Sequence, residues 1–158
     1  MKYARLAKEQ FEELHQEFIN FLASQSITGD EWEDIKKNKP EVAEQELDVF
    51  SDLVWEGVLN QAKFLEHISS NQIFLFKITE LTINLIGVKV ENEAVDITTR
   101  QGYAWLQQNL MDDRVSLYTS SKNISDDRNK DIFALIQQGA VITKGDLYEF
   151  FEKHLNPE

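Results

Sequence analysis

The amino-acid sequence predicts an α+β protein, with a small, mostly antiparallel sheet of three or four strands packed with about six helices. Three observations lead there. Apolar residues recur at helical spacing through the first third of the chain. Two neighbouring runs, Gln72 to Thr79 and Thr82 to Val90, are dense in β-branched and aromatic side chains. Helical spacing then returns toward the C-terminus, and no repeat or linker-like stretch divides the 158 residues. The expectation is one domain over residues 1–158, with a helical N-terminal third and a C-terminal helical hairpin.

A first helix is expected from about Ala7 to Ala23, where Phe11, Leu14, Phe18, Phe21 and Leu22 form one apolar stripe. The stretch from Gln25 to Gly29 breaks it. Thr28 then caps a short helix holding Trp32 and Ile35, with Glu31 in the third position of a capping box. Acids lead that helix and Lys36, Lys37 and Lys39 close it, as the helix dipole favours. Pro40 opens a long helix running to about Asn60 and on toward Glu66. Val42, Leu47, Phe50, Leu53, Val54 and Val58 share its broad apolar face.

Ser69-Ser70-Asn71 reads as a loop. The two β-rich runs form a hairpin turning near Glu80-Leu81. Both are apolar on two faces for part of their length, so helices are expected on both sides of the sheet. Ala94 to Ile97 offers a short third strand. Thr98 or Thr99 caps a helix from about Arg100 to Met111, and Arg114 to Thr119 reads as another strand. Ser120 to Ser125 reads as a polar loop. Two helices finish the chain, from about Asp127 to Gln138 (closed by Gly139) and from about Lys144 to Leu155.

Composition narrows the function. Cysteine is absent, which excludes disulfides, thiolate metal sites and a cysteine nucleophile. The net charge of −12 disfavours nucleic acid and anionic membranes, whose phosphates are bound by Lys and Arg. Met1 to Arg5 leads into a charged segment where a signal peptide would need an apolar run. No stretch approaches the ~18 apolar residues of a membrane span. A cytoplasmic location is expected.

The most distinctive constellation lies on the long helix. Glu41, Glu44, Asp48, Asp52 and Glu56 step by three, four, four and four, so they form one acidic stripe. Like charges at these spacings repel, and no Lys or Arg relieves them between Lys39 and Lys63. Trp55 projects within the stripe, near one margin, as an aromatic anchor with a charged surround would. These six residues are the candidate binding surface. A solvated face, with Trp55 buried by another element, is the plain alternative.

Glu46 falls within the apolar arc of the same helix, where a buried carboxylate could serve as an acid or base. His15 follows Glu12 in the Glu-x-x-His spacing of di-iron bundles, but the second such motif is missing. No Gly-x-Ser-x-Gly elbow occurs, and the six glycines never cluster into a phosphate loop. The final two helices invite a helix-turn-helix reading, but the second displays Asp146, Glu149 and Glu152 rather than base-reading side chains. No catalytic residue, metal or cofactor is indicated.

Lys2 to Leu6, Glu9 to Phe18, Pro40 to Ala43 and Phe50 to Trp55 together resemble, over most of the chain, a family of short bacterial proteins classed only as a domain of unknown function. The resemblance implies a bacterial cytoplasmic protein and carries no activity, cofactor or site. The leading functional expectation is a non-catalytic protein-interaction module acting through the acidic helix face. An enzyme or small-ligand binder with a pocket between elements is one alternative. A self-associating protein that buries its apolar hairpin between copies is the other.

Overall fold

The computed structural model describes residues 1–157 and divides into two compact units, Met1–Asn60 and Gln61 onward. Among the described residues there are seven helices and five strands.

The first unit is helical. Its elements are α1 (Lys8–Glu13), α2 (His15–Ser24), α3 (Gly29–Asn38) and α4 (Pro40–Gln61). The single helix expected over Ala7 to Ala23 is thus two, parted at Leu14, whose ψ of 24° leaves the helical region. Thr28 caps α3 as expected, its hydroxyl accepting the Glu31 N–H at 3.1 Å. Phe18, half-buried, is the hub of an aromatic cluster. Its ring meets Phe11, Phe21, Trp32 and Phe50 at centroid distances of 5.0 to 6.1 Å, mostly edge-on, as the ring quadrupoles favour. α4 therefore buries Ala43, Phe50 and Ser51. This shifts the expected apolar face: Leu53 and Val58 lie outward, with Val49.

The second unit is a five-stranded antiparallel sheet with three helices. Its elements are β1 (Phe64–Ile68), β2 (Gln72–Ile78), β3 (Thr82–Val90), α5 (Arg100–Gln108), β4 (Val115–Asn123), α6 (Arg128–Gln137), β5 (Val141–Thr143) and α7 (Asp146–Leu155). The strand order is β4-β3-β2-β1-β5. The β2–β3 hairpin turns at Glu80-Leu81 as expected, locked by the Thr79 N–H to Thr82 carbonyl bond at 2.9 Å.

Four local expectations need correction. The sheet has five strands where three or four were expected, and the Ala94 to Ile97 candidate is not one of them. The first residues of β1, to Glu66, were expected as the tail of the long helix; its five residues are too short to show alternation, and it forms because β2 and β5 pair with it on either side. β5 has only three residues and lies where a turn was expected. It separates α6 from α7, so the C-terminal helical hairpin is instead a helix-strand-helix, and the helix-turn-helix reading falls with it. β4 runs on through Ser120 to Asn123, polar because it is an edge strand open to water. Ala94 to Ile97 forms turns rather than a strand.

Helices lie on both sheet faces. On one, Ile73, Leu75, Ile86, Val88 and Val90 pack with Leu106 of α5 and with Tyr148 and Phe151 of α7. On the other, Leu135 of α6 borders a small cavity with Phe76, Ile83 and Leu85. Gly87 faces its β4 partner Tyr118, whose ring lies where a Cβ would project, only 2.1 Å from that position. Tyr118 thus fills the gap that a glycine leaves in a strand.

Candidate functional site

The six predicted surface residues belong to α4, and the structure gives most of them an occupant from the same unit. Residues 1–6 precede α1 and lie extended along α4, running antiparallel to it. Asp52 is the anchor: its two carboxylate oxygens accept the backbone N–H groups of Lys2 at 2.7 Å and Tyr3 at 2.9 Å. Trp55 donates its indole N–H to the Ala4 carbonyl at 3.1 Å. Ser51, fully buried, accepts the Leu6 N–H at 3.1 Å and donates to the Leu47 carbonyl at 2.7 Å.

Side chains add charge to this main-chain frame. The Arg5 guanidinium meets Asp48 at 2.6 Å and Glu44 at 2.8 Å. Those pairings, Glu44 first, raise the Arg5 pKa further above its ordinary value. Glu56 accepts the Tyr3 hydroxyl on both carboxylate oxygens, at 2.7 and 2.8 Å, and meets Lys2 at 3.5 Å. Burial, followed by that carboxylate, raises the Tyr3 pKa. The bases missing from the long helix are thus supplied by residues 2 and 5. Glu41 stands apart: it is exposed and holds no ion pair among the described residues.

The stripe is flanked on its other side by Val49, 51% exposed, and Leu53, 56% exposed, which are one helical turn apart. Acidic and apolar rows therefore run side by side along the outer surface of α4.

Other sequence candidates land elsewhere. Glu46 is half-buried and accepts a hydrogen bond from Gln25 at 2.7 Å. His15 begins α2 and Glu12 belongs to α1, so the break at Leu14 separates the Glu-x-x-His pair into two helices. His15 instead borders a cleft of about 360 Å³ with Phe18, Ile19, Trp32 and Lys36. No group of three or more His, Asp or Glu among the described residues is placed to hold a metal ion. No helix among them is long and apolar enough to cross a membrane.

Two features were missed in the sequence. An open cleft of about 620 Å³ lies on the second unit, walled by Ile68, Ile73, Ile97, Tyr103 and Leu147, with Arg100 at its margin. Glu66 projects from β1 toward the face that α5 and α7 cover, between Leu75 and Val141 on the neighbouring strands. Burial raises its carboxyl pKa. Carrying the helix on toward Glu66 hid both, because without β1 neither Glu66 nor the following Ile68 could be placed on a sheet face.

Fold and site together define a two-unit α+β protein whose most elaborated surface is a helix face that binds an extended basic segment. The chain belongs to the family described as "Family of unknown function (DUF6495)", whose model matches residues 1–156 and so spans both units. Comparison with curated proteins and with solved structures gives no match.

Proposed function

We propose that this protein is a non-catalytic protein-interaction module that engages a protein partner through the acidic face of α4. The observation that supports the reading is the pairing of two rows on one helix surface: Glu41, Glu44, Asp48, Asp52 and Glu56, the last three half-covered by residues 2–5, beside the exposed Val49 and Leu53. Interfaces combine an apolar patch with a charged surround in this way. The main-chain and side-chain contacts made to residues 2–6 indicate the chemistry such a face accepts, namely bases and backbone N–H groups.

The test is affinity capture from a host lysate at low salt, followed by titration of the purified partner. The native protein is compared with one carrying Glu44→Lys, Asp48→Lys and Asp52→Lys, whose fold is checked by circular dichroism. The reading expects a partner whose binding weakens with salt and is lost in the folded variant. Equal binding by both proteins would remove it. A second reading, small-ligand binding, rests on the apolar cleft of about 620 Å³ with Arg100 at its margin. Its test is a thermal-shift screen of small apolar acids against the native protein and Arg100→Ala.

A further inference from the structure

The contacts along α4 go further than an acidic surface: they describe a ligand. We propose that the face is a reader of extended segments with the pattern basic–aromatic–small–basic–apolar, and that residues 2–6 of the chain itself compete for the same groove. This inference rests on the interaction reading above and names its partner class.

The main-chain part of the recognition does not depend on the segment's sequence. Asp52 takes two consecutive N–H groups, Trp55 gives one hydrogen bond to a carbonyl, and Ser51 takes a third N–H. Such a set fixes the segment's direction and register. It is the division of labour seen when peptides are recognised in extended form, where the backbone contributes affinity and the side-chain positions contribute choice.

Choice comes from five positions. Glu56 faces a base and an aromatic hydroxyl at successive residues, Lys2 and Tyr3. Ala4 is half-buried beneath the Trp55 contact. Arg5 lies between two carboxylates, with Nε and a terminal nitrogen both on Asp48 and the same terminal nitrogen on Glu44. Leu6 is buried. Geometry supports the match of lengths. An extended chain advances roughly 3.3 Å per residue and a helix about 1.5 Å, so one segment residue covers about two of α4. The three steps from Lys2 to Arg5 cover roughly 10 Å, close to the roughly 12 Å that separates Glu56 from Asp48, and the side chains make up the difference.

Tethering sets the magnitude of the competition. A segment linked to its own groove acts at an effective concentration on the order of millimolar. An external segment of equal intrinsic affinity must overcome that concentration. For an intrinsic Kd in the tens of micromolar, apparent binding to the native protein is weakened by roughly tenfold or more.

The experiment uses the full chain. Lys2→Glu with Arg5→Glu places acids against Glu56, Asp48 and Glu44 and releases the resident segment. The probe is a synthetic peptide with the sequence of residues 1–7, labelled for anisotropy, with a second peptide carrying Glu at positions 2 and 5. The proposal expects the first peptide to bind the released variant at least tenfold more tightly than the native protein. It expects the second peptide to bind neither, and added Asp48→Asn and Asp52→Asn to abolish binding. Equal affinity for native and released proteins, no binding to either, or binding that survives the Asp48 and Asp52 changes would each overturn it.

If the released variant does not fold, the native protein serves alone. Millimolar peptide, matching the effective concentration of the tethered segment, should move the amide resonances of Lys2 and Tyr3 toward free-chain positions, and unmoved resonances overturn the proposal. The two readings fail separately. A captured partner still lost on charge reversal, with no peptide binding, leaves the acidic interface and removes the segment code.

Discussion

Two glycine-to-alanine changes should move stability in opposite directions, and the structure gives both signs. Gly57 lies in α4 with nothing within 4 Å of the position its Cβ would take. Alanine there lowers the entropy of the unfolded chain and suits the helix, a gain of up to about 1 kcal/mol. Gly102 lies in the first turn of α5, where a Cβ would stand 1.8 Å from the Asp96 carbonyl oxygen and 2.4 Å from its carbon. That carbonyl cannot simply retreat. It accepts the Thr99 N–H at 3.1 Å and the Thr99 hydroxyl at 2.7 Å, and the next residue, Ile97, donates to the Ser70 carbonyl at 2.9 Å. The Thr99 hydroxyl is also the cap of α5, accepting the Gly102 N–H at 3.0 Å. Forcing atoms apart in packed surroundings costs about 1–3 kcal/mol, and losing the cap costs about 1 kcal/mol more. The helix-propensity gain of about 1 kcal/mol offsets the cap. The expected net loss for Gly102→Ala is therefore about 1–3 kcal/mol. Urea unfolding followed by far-UV circular dichroism measures both. The predicted order of midpoints is Gly57→Ala, native, Gly102→Ala. A Gly102→Ala protein as stable as the native one would refute the steric reasoning.

Two pH-linked predictions follow from single carboxyls. Glu66 has a raised pKa because burial penalises its charged form. Its ionisation thus costs stability at neutral pH, and the cost disappears as pH falls below the ordinary glutamate range. Glu66→Gln should raise the urea midpoint at pH 7 and lose that advantage near pH 4; a lower midpoint at pH 7 would contradict it. Asp112 is the opposite case. Hydrogen bonding from the Arg114 side chain, with its backbone N–H, lowers the Asp112 pKa to about 2. Its folded-state contribution is therefore present above the ordinary aspartate range and lost only as pH falls through about 2. Carboxyl chemical shifts should titrate near that value in the native protein and move up toward the ordinary range in Arg114→Ala, which keeps only the backbone N–H bond.

Local rules read much of this fold correctly. Thr28 and Thr99 cap their helices, because capping depends on residues within one turn. The β2–β3 hairpin was legible because both strands are long and rich in β-formers. β1 and β5 were not, since neither holds enough residues to show a period. Their conformation is set by partners at a distance in sequence: Glu66 of β1 pairs with Leu75 and with Val141. The acidic stripe was legible as a pattern on α4. Its occupant was not, because nothing in Lys2-Tyr3-Ala4-Arg5 announces that Asp52 and Asp48, more than forty residues away in sequence, will hold it.

That occupancy is the basis of the account, and hydrogen exchange at individual amides tests it most directly. The amides of Lys2, Tyr3 and Leu6 should exchange more slowly than in a free peptide, since each donates to an α4 side chain. Asp52→Asn should speed Lys2 and Tyr3. Free-peptide exchange at all three amides in the native protein would mean that residues 2–6 are not seated on α4, and the segment-reading groove would have no basis.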